Sequence, residues 1–206
     1  MDAKTIPDIV IGRLPLYLRV LQQMSSEGRQ VTSSQELGER LGISAAQIRK
    51  DLSQFGEFGK QGTGYHIDYL LEQLRKILKV NRVWKMAVVG AGDLGSAVAS
   101  YQGFIDRGFQ VAMLFDNNPA KIGTRIGKLI VLDSTTLEEH IRAAEIQVAM
   151  ITVPAEHAQA IADMLVKAGV KAILSYAPLT LSVPPEVKVQ YIDPTIHLQR
   201  MTYYLA

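Results

Sequence analysis

Two kinds of hydrophobic pattern divide the chain near residue 80. Before it, residues 14–24 and 68–79 repeat apolar side chains at helical spacing, and Asp68 is the expected N-cap of the second helix. After it, short apolar runs alternate with helical segments as far as residue 192. This alternation predicts an α/β domain with a parallel sheet over residues 81–192, behind a helical domain over residues 1–80.

A pair of short helices with a glycine between them is predicted in residues 33–55. Each begins with the spacing of a capping box, and these boxes are Ser33 with Glu36 and Ser44 with Gln47. The second helix, expected over residues 45–55, would turn Ile48 and Leu52 inward. Such a pair is typical of a helix-turn-helix, whose second helix enters the DNA major groove. Its polar face could contact bases and phosphates, but an ordinary solvated helix face would have the same composition.

The next segment, residues 55–65, alternates glycine with aromatic residues and one lysine. It predicts a β-hairpin with Lys60 and Gln61 at its tip, although a plain loop is the alternative. A helix-turn-helix followed by a hairpin is a winged helix, and the wing commonly touches the DNA backbone or minor groove. The two features together favour a DNA-binding domain.

Three glycines follow the apolar run Met86–Val89 at the spacing G-x-G-x-x-G and lead into a helix predicted over residues 94–101. Gly90 permits the tight turn, Gly92 lets backbone approach a pyrophosphate, and Gly95 lets helix and strand pack closely. A second strand, residues 111–115, ends at Asp116, where a ribose-binding acid is expected about 20 residues on. The combination predicts a dinucleotide site rather than a chance glycine turn.

Asp116 favours NAD(H) over NADP(H). A carboxylate accepts hydrogen bonds from both ribose hydroxyls and repels a 2′-phosphate, and Asn117 and Asn118 bring no compensating positive charge. Without the glycines, Asp116 would be interpreted as a turn former at a strand end. Ligands of parallel sheets bind beyond the carboxyl ends of the strands, so residues 152–154 and 177–178 are expected on the same rim.

Composition excludes several kinds of chemistry. The chain has no cysteine, which excludes disulfides, zinc–thiolate sites and thiol catalysis, and no apolar run reaches the ~18 residues of a membrane span. We expect a cytoplasmic protein without a signal peptide, a membrane contact or a metal. The formal net charge is +2, and residues 1–80 carry all of it, with 11 Lys and Arg against 9 Asp and Glu. This is a weak indication of an anionic partner there.

No motif of catalytic residues accompanies the predicted nucleotide site. The four histidines are scattered, and nothing follows the α/β domain except a short helix with apolar side chains in residues 193–206. This helix either covers its own core or is buried in another subunit. We therefore expect a sensor and not an enzyme. Two alternatives remain, a small NADH-dependent reductase and a subunit that binds CoA or another nucleotide, although the latter leaves the wing unexplained.

Over nearly its whole length, the chain resembles the Rex family of redox-sensing transcriptional repressors. The motifs that carry the resemblance are RLPLYLR at residues 13–19, QIRKDLSQFG at 47–56, GTGY at 62–65, VGAGDLG at 89–95, FDNNPAKIG at 115–123, TVP at 152–154 and YAP at 176–178. Their order and spread make the match specific. The sequence departs from the family pattern at Ser175, where asparagine is usual, at Pro194, where a bulky apolar residue is frequent, and at Gln61, where an arginine is common.

The resemblance implies a homodimer with an N-terminal winged helix and a C-terminal Rossmann-like domain, which binds inverted-repeat, double-stranded operator DNA. It also implies that the terminal helix is exchanged between subunits, and that NADH competes with NAD⁺ and releases the repressor from DNA. By position in the family, Arg19, Tyr101 and Asp193 form the ligand-responsive network, with Asp193 supplied by the other subunit.

The site residues that we expect from the motifs and the resemblance fall into two groups. The cofactor-binding residues are Gly90, Ala91, Gly92, Asp93, Leu94, Gly95, Asp116, Thr152, Val153, Pro154, Ala177 and Pro178. The DNA-binding residues are Ser44, Ala46, Gln47, Arg49, Lys50, Lys60, Gln61 and Tyr65.

Overall fold

The chain consists of two compact units, residues 1–82 and 83–206, and the described residues of the first form four helices and a three-stranded antiparallel sheet. The computed structural model describes residues 6–60 and 63–205. The sheet order is β1-β3-β2. The elements of the first unit are α1 (Asp8–Ser26), β1 (Val31–Thr32), α2 (Ser34–Leu41), α3 (Ala45–Leu52), β2 (Gly59–Lys60), β3 (Gly64–His66) and α4 (Ile67–Ile77).

The predicted winged helix is confirmed, and the expected caps start both of its short helices. Ser33 Oγ accepts a hydrogen bond from Glu36 N–H, and Ser44 Oγ accepts one from Gln47 N–H. Gly42 ends α2 in the left-handed conformation, with φ of 67°. The hairpin β2–β3 follows α3 and forms the wing.

Three predicted boundaries in this unit are wrong. Helix α1 begins at Asp8, six residues before the predicted start, so Pro15 lies inside the helix and not in its first turn. Val10, four residues before Leu14, is buried and continues the apolar stripe toward the N-terminus, but it lies between the exposed Ile9 and Ile11. Helix α3 ends at Leu52 instead of residue 55. His66 is the N-cap residue of α4, and Asp68 lies in its first turn, where its carboxylate accepts a hydrogen bond from Ser25 Oγ.

The second unit is a Rossmann-like α/β domain with a largely parallel sheet, as predicted, and its strand order is β10-β9-β8-β4-β5-β7-β6. All neighbouring strands are parallel except β6 and β7. Two short 3₁₀ segments, Gln102–Arg107 and Ser134–Thr136, supplement the helices. The main elements are β4 (Trp84–Val89), α5 (Asp93–Ser100), β5 (Phe109–Asp116), β6 (Arg125–Ile126), β7 (Leu129–Asp133), α6 (Leu137–Ala143), β8 (Val148–Ile151), α7 (Ala155–Ala168), β9 (Ala172–Ser175), β10 (Lys188–Tyr191) and α8 (Pro194–Thr202).

Apolar side chains cover both faces of the central strands. Along β4, Ala87 and Val89 belong to one buried cluster, while Met86 and Val88 belong to the other. This explains the continuous apolar run, because a parallel strand between two helical layers has no solvent-facing side. Because β4, β5, β8 and β9 are parallel neighbours, their carboxyl ends lie together at one edge of the sheet.

The last helix, α8, has no apolar partner within the part of the chain that the structure describes. The side chains of Ile196, Leu198 and Met201 are about three-fifths exposed to solvent, and Tyr203 and Tyr204 are exposed still more. Of the two alternatives for this helix, coverage of its own core is therefore not observed in the single chain. No helix among the described residues is long and apolar enough to cross a membrane.

Candidate nucleotide site and nucleic-acid interface

The three glycines of the G-x-G-x-x-G motif occupy three different environments between β4 and α5. Gly90 has φ of 107°, and an added Cβ would lie 2.9 Å from Val153 Cγ1. At Gly95 an added Cβ would overlap the carbonyl oxygen of Gly90, so the helix could not approach the strand with any other residue. Gly92 precedes α5 and has no atom within 4 Å of an added Cβ. A glycine at position 92 is therefore not required by the protein's own packing.

Gly92→Ala is expected to weaken NADH binding by about tenfold or more, because a methyl group would occupy the path of the pyrophosphate. Stability should stay within about 1 kcal/mol of wild type, since φ of −74° suits alanine. Titration of NADH fluorescence and thermal unfolding measure the two effects. Gly95→Ala is the contrasting variant, which should lose both binding and stability. Wild-type NADH affinity in Gly92→Ala would contradict the role assigned to this glycine.

Asp116, the last residue of β5, is tied to the glycine loop. Its Oδ2 accepts a hydrogen bond of 2.7 Å from Ala91 N–H, and its Oδ1 accepts one of 2.8 Å from Asn118 N–H. Burial acts to raise the pKa of Asp116, but these backbone donors and Lys121 outweigh it, so the pKa lies below its usual value. The carboxylate is charged at neutral pH. Its Oδ1 keeps one lone pair for a ribose hydroxyl, and a second hydroxyl would take the place of the long, 3.4 Å contact from Lys121 Nζ on Oδ2.

Lys121 is a charge at this site that was not predicted from the sequence. Its Nζ lies 3.4 Å from Asp116 Oδ2, and its side chain is 39% exposed. Asn117 and Asn118 bring no positive charge, as expected, but Lys121 brings one to the same carboxylate. The turn through residues 118–123 folds the chain back, with Lys121 N–H and Ile122 N–H both donating to the Asn118 carbonyl. A lysine five residues after a strand-end acid is the only signal the sequence offers.

Most of the remaining rim residues meet at the same edge of the sheet. Thr152 Oγ1 lies 2.8 Å from the Gly90 carbonyl oxygen and 3.0 Å from that of Val89, so this hydroxyl fastens the end of β8 to the glycine turn. Pro154 precedes α7. Ala177 is buried, and its N–H donates to Ser175 Oγ at 3.3 Å. The buried Ser175 thus holds the turn before Pro178 through its hydroxyl. The structure thus brings these residues together around the glycine turn.

The polar face of α3 is only partly free. Ser44, Ala46, Arg49 and Lys50 are exposed, and Arg49 Nη1 donates to Ser34 Oγ at 2.9 Å. Gln47 is partly exposed, and its Nε2 donates to Asp51 Oδ1 at 2.7 Å. In the wing, Gly59 pairs with Tyr65, and Lys60 pairs with Gly64. Gln61 lies outside the described residues.

A buried ion pair joins α3 to α1. Asp51 is completely buried and accepts four hydrogen bonds, from Arg13 Nε and Nη2, from Tyr17 Oη and from Gln47 Nε2. Burial acts to raise the pKa of Asp51, but these donors outweigh it and hold it below its usual value. This cluster was not predicted from the sequence, because Arg13 and Asp51 are 38 residues apart and only the helical spacing of Gln47 and Asp51 hinted at a contact.

The three residues of the implied switch have different environments. Tyr101 follows α5, is 49% exposed and packs edge-on against Phe104 with ring centroids 5.1 Å apart. Asp193 caps α8 by accepting hydrogen bonds from Thr195 N–H and Oγ1–H. Arg19 is exposed on α1. These environments leave all three side chains accessible, at least in part.

Comparison with known proteins gives matches over both units. The family described as "CoA binding domain" matches residues 81–179, and the family described as "Putative DNA-binding protein N-terminus" matches residues 5–53. A protein of Chloroflexus aggregans named "Redox-sensing transcriptional repressor Rex" is 53% identical over 200 residues, 97% of this chain and 94% of that one.

Two crystal structures are also similar over nearly the whole chain. The first is described as "RSP in complex with beta-NAD+ and operator DNA" and has a TM-score of 0.93 with 38% identity, over 98% of this chain and 93% of that chain. The second is described as "RSP in complex with beta-NADH" and has a TM-score of 0.90 with 37% identity, over 98% and 95%.

Proposed function

Because the chain belongs to the Rex family of redox-sensing transcriptional repressors, we propose that it binds inverted-repeat operator DNA and leaves it when NADH replaces NAD⁺. The observation that carries the proposal is the coexistence of a winged helix and a glycine-rich turn closed by Asp116 in one chain. The similar RSP structures, one with NAD⁺ and operator DNA and one with NADH, support the same pair of ligands.

The cofactor would lie across the carboxyl ends of the central strands. We assign the pyrophosphate to the N–H groups that start α5 after Gly92, where the helix end is positive. The adenosine ribose is assigned to Asp116. The residues 152–154 and 177–178 would line the rest of the cleft. On the DNA side, α3 would enter the major groove, while the wing, including Lys60, Gln61 and Tyr65, would contact the backbone or minor groove.

The relatives are named as repressors and not as enzymes, which supports the view that the nucleotide is sensed and not turned over. NADH can shift the protein away from DNA only if it binds the DNA-incompetent form more tightly than the competent form. A difference of ~1–3 kcal/mol is enough for regulation. A DNA-binding repressor acts where the genome is, so we assign the protein to the cytoplasm.

A titration on a selected duplex tests the function directly. Duplexes are enriched from a randomised library by the protein, and one enriched inverted repeat is then titrated with NADH and, separately, with NAD⁺. NADH is expected to release the duplex at concentrations where NAD⁺ does not. Operator binding that is the same at every ratio of the two nucleotides would refute redox sensing, and steady oxidation of NADH would favour the reductase alternative.

Lys50→Ala is expected to weaken operator binding uniformly across sequences and to lower the salt dependence. The slope of log affinity against log salt concentration should fall by about one for each Lys50 that contacts a phosphate. Lys76→Ala is the matched control, because Lys76 is an exposed lysine of α4 paired with Glu72 and its replacement removes the same charge. Filter binding between about 50 and 200 mM salt measures both slopes. Equal slopes for the two variants would remove Lys50 from the interface.

We further propose that the protein is a homodimer in which α8 is exchanged, and that Arg19, Tyr101 and the other subunit's equivalent of Asp193 respond to the ligand. The exposed apolar residues of α8 support this proposal, since a helix with Ile196, Leu198 and Met201 in water lacks the burial that stabilises most helices. Sedimentation equilibrium is expected to give twice the chain mass of 22.7 kDa. A monomer at micromolar concentration would contradict the exchange.

A further inference from the structure

The carboxylate of Asp51 accepts as many hydrogen bonds as it has lone pairs. Oδ2 accepts from Arg13 Nε at 2.6 Å and from Tyr17 Oη at 2.5 Å, and Oδ1 accepts from Arg13 Nη2 and Gln47 Nε2, both at 2.7 Å. Arg13 and Tyr17 belong to α1, and both helices are anchored in the same core. The position and plane of the carboxylate are therefore set from outside α3.

This arrangement also decides the orientation of the Gln47 carboxamide. An ionised carboxylate can only accept, so the group that faces Asp51 must be the NH₂ of Gln47 and not its carbonyl. One N–H is then used, while the second N–H and Oε1 remain. Within residues 6–60 and 63–205, no hydrogen bond to Oε1 is found, and the side chain is partly exposed.

The remaining N–H and carbonyl of a glutamine are the two groups that pair with N7 and N6 of adenine in the major groove. Because Asp51 already restrains the side chain of Gln47, little rotamer entropy is lost when this side chain binds a base. An unrestrained glutamine would lose more. Arg49 differs, because its guanidinium is held only by the hydroxyl of Ser34 at the surface, among the residues that the structure describes.

We propose that Asp51, held by Arg13 and Tyr17, is a positioning residue that orients Gln47 to read one A·T base pair in each operator half-site. The proposal rests on the operator binding proposed above. Asp51 does not touch the DNA. It acts through Gln47 by excluding the flipped carboxamide, which would present the carbonyl to the carboxylate.

The test measures the preference for each base pair of the operator. If Asp51 only stabilised the fold, its replacement would not change the preference at a single base-pair position. Binding of wild type, Gln47→Ala, Asp51→Asn and the double variant is measured on a duplex enriched by the wild-type protein and on its single-base-pair variants. An asparagine at position 51 fills the same space but can turn either a donor or an acceptor toward Gln47. Circular dichroism at the assay temperature establishes folding. If Asp51→Asn does not fold, Arg13→Lys replaces it, because one ammonium group cannot hold both carboxylate oxygens as the guanidinium does.

Gln47→Ala is expected to lose a preference of about tenfold for adenine at one position. Asp51→Asn should lose most of the same preference at that position, and the double variant should lose no more than Gln47→Ala alone. The positioning role is overturned if Asp51→Asn or its substitute keeps the full preference, or lowers the affinity for all duplexes equally. A wild-type protein that enriches no sequence would instead refute operator binding, and this inference with it.

Discussion

Asp51→Ala is expected to lower the free energy of unfolding of the N-terminal unit by about 3–5 kcal/mol. Removing one member of a buried ion pair leaves the other charge without compensation, and this costs more than the pair contributes. Here the loss is compounded, because Arg13 is only 19% exposed and Tyr17 loses the acceptor of its buried hydroxyl. Hydrogen exchange of the amides in α1, α3 and α4, followed by mass spectrometry, measures the loss for this unit alone.

Glu27→Ala is the matched control for this experiment. Arg40 holds Glu27 with the same two-pronged geometry, at 2.9 and 2.7 Å, but the pair lies at the surface. Exposed pairs contribute little because water screens them and both side chains must be ordered. The control should therefore exchange almost as wild type does. An equal loss of protection in the two variants would show that burial of Asp51 is not what makes its ion pair important.

The same cluster gives the N-terminal unit a pH dependence with a definite sign. The folded-state pKa of Asp51 is depressed by its donors, so its contribution to stability is complete above the ordinary carboxyl pKa of about 3.9. That contribution is lost as the pH falls through the lower folded-state value. Protection of α3 amides should therefore decline below about pH 4 in wild type and decline less in Asp51→Ala.

Local patterns were enough to predict the glycine turn and the position of Asp116 beside it, because their constraints lie within short segments. The close packing at Gly95 and the positive φ at Gly90 are consequences of one turn between a strand and a helix. The strand pattern then carries Asp116 to the same edge, where Ala91 N–H meets it. Each of these steps follows from spacing along the chain, and the parallel sheet follows from the alternation of strands and helices.

What could not be predicted depends on contacts between segments that are distant in the sequence. Arg13 and Asp51 each appear in an ordinary helical pattern, and nothing local indicates that they meet. Lys121 is near Asp116 only because the intervening turn reverses the chain. The start of α1 was missed for another reason: the buried Val10 continues the stripe, but its apolar neighbours Ile9 and Ile11 are exposed and obscure the helical spacing.

Asp116→Ala is expected to weaken NADH binding by about 10- to 100-fold and to leave operator affinity in the absence of nucleotide nearly unchanged. Hydrogen bonds to a charged group contribute ~1.5–3 kcal/mol, and the alanine removes the acceptor for both ribose hydroxyls as well as the bond to Ala91 N–H. Lys121 remains and its positive charge can then attract the 2′-phosphate of NADPH. The ratio of NADH affinity to NADPH affinity should therefore fall by a larger factor than NADH affinity alone. Calorimetric titration with NADH and NADPH measures both changes.

Asp133→Asn is the matched control, because Asp133 ends the neighbouring strand in register with Asp116 but caps its own turn through Thr135 N–H. The asparagine keeps this cap and removes the charge, so NADH affinity should stay near that of wild type. An equal loss in both variants would mean that Asp116 acts through the general field at this edge of the sheet. Loss of operator binding in Asp116→Ala without nucleotide would show that the carboxylate is needed for the DNA-binding form itself, and the separation between sensing and DNA reading would then be wrong.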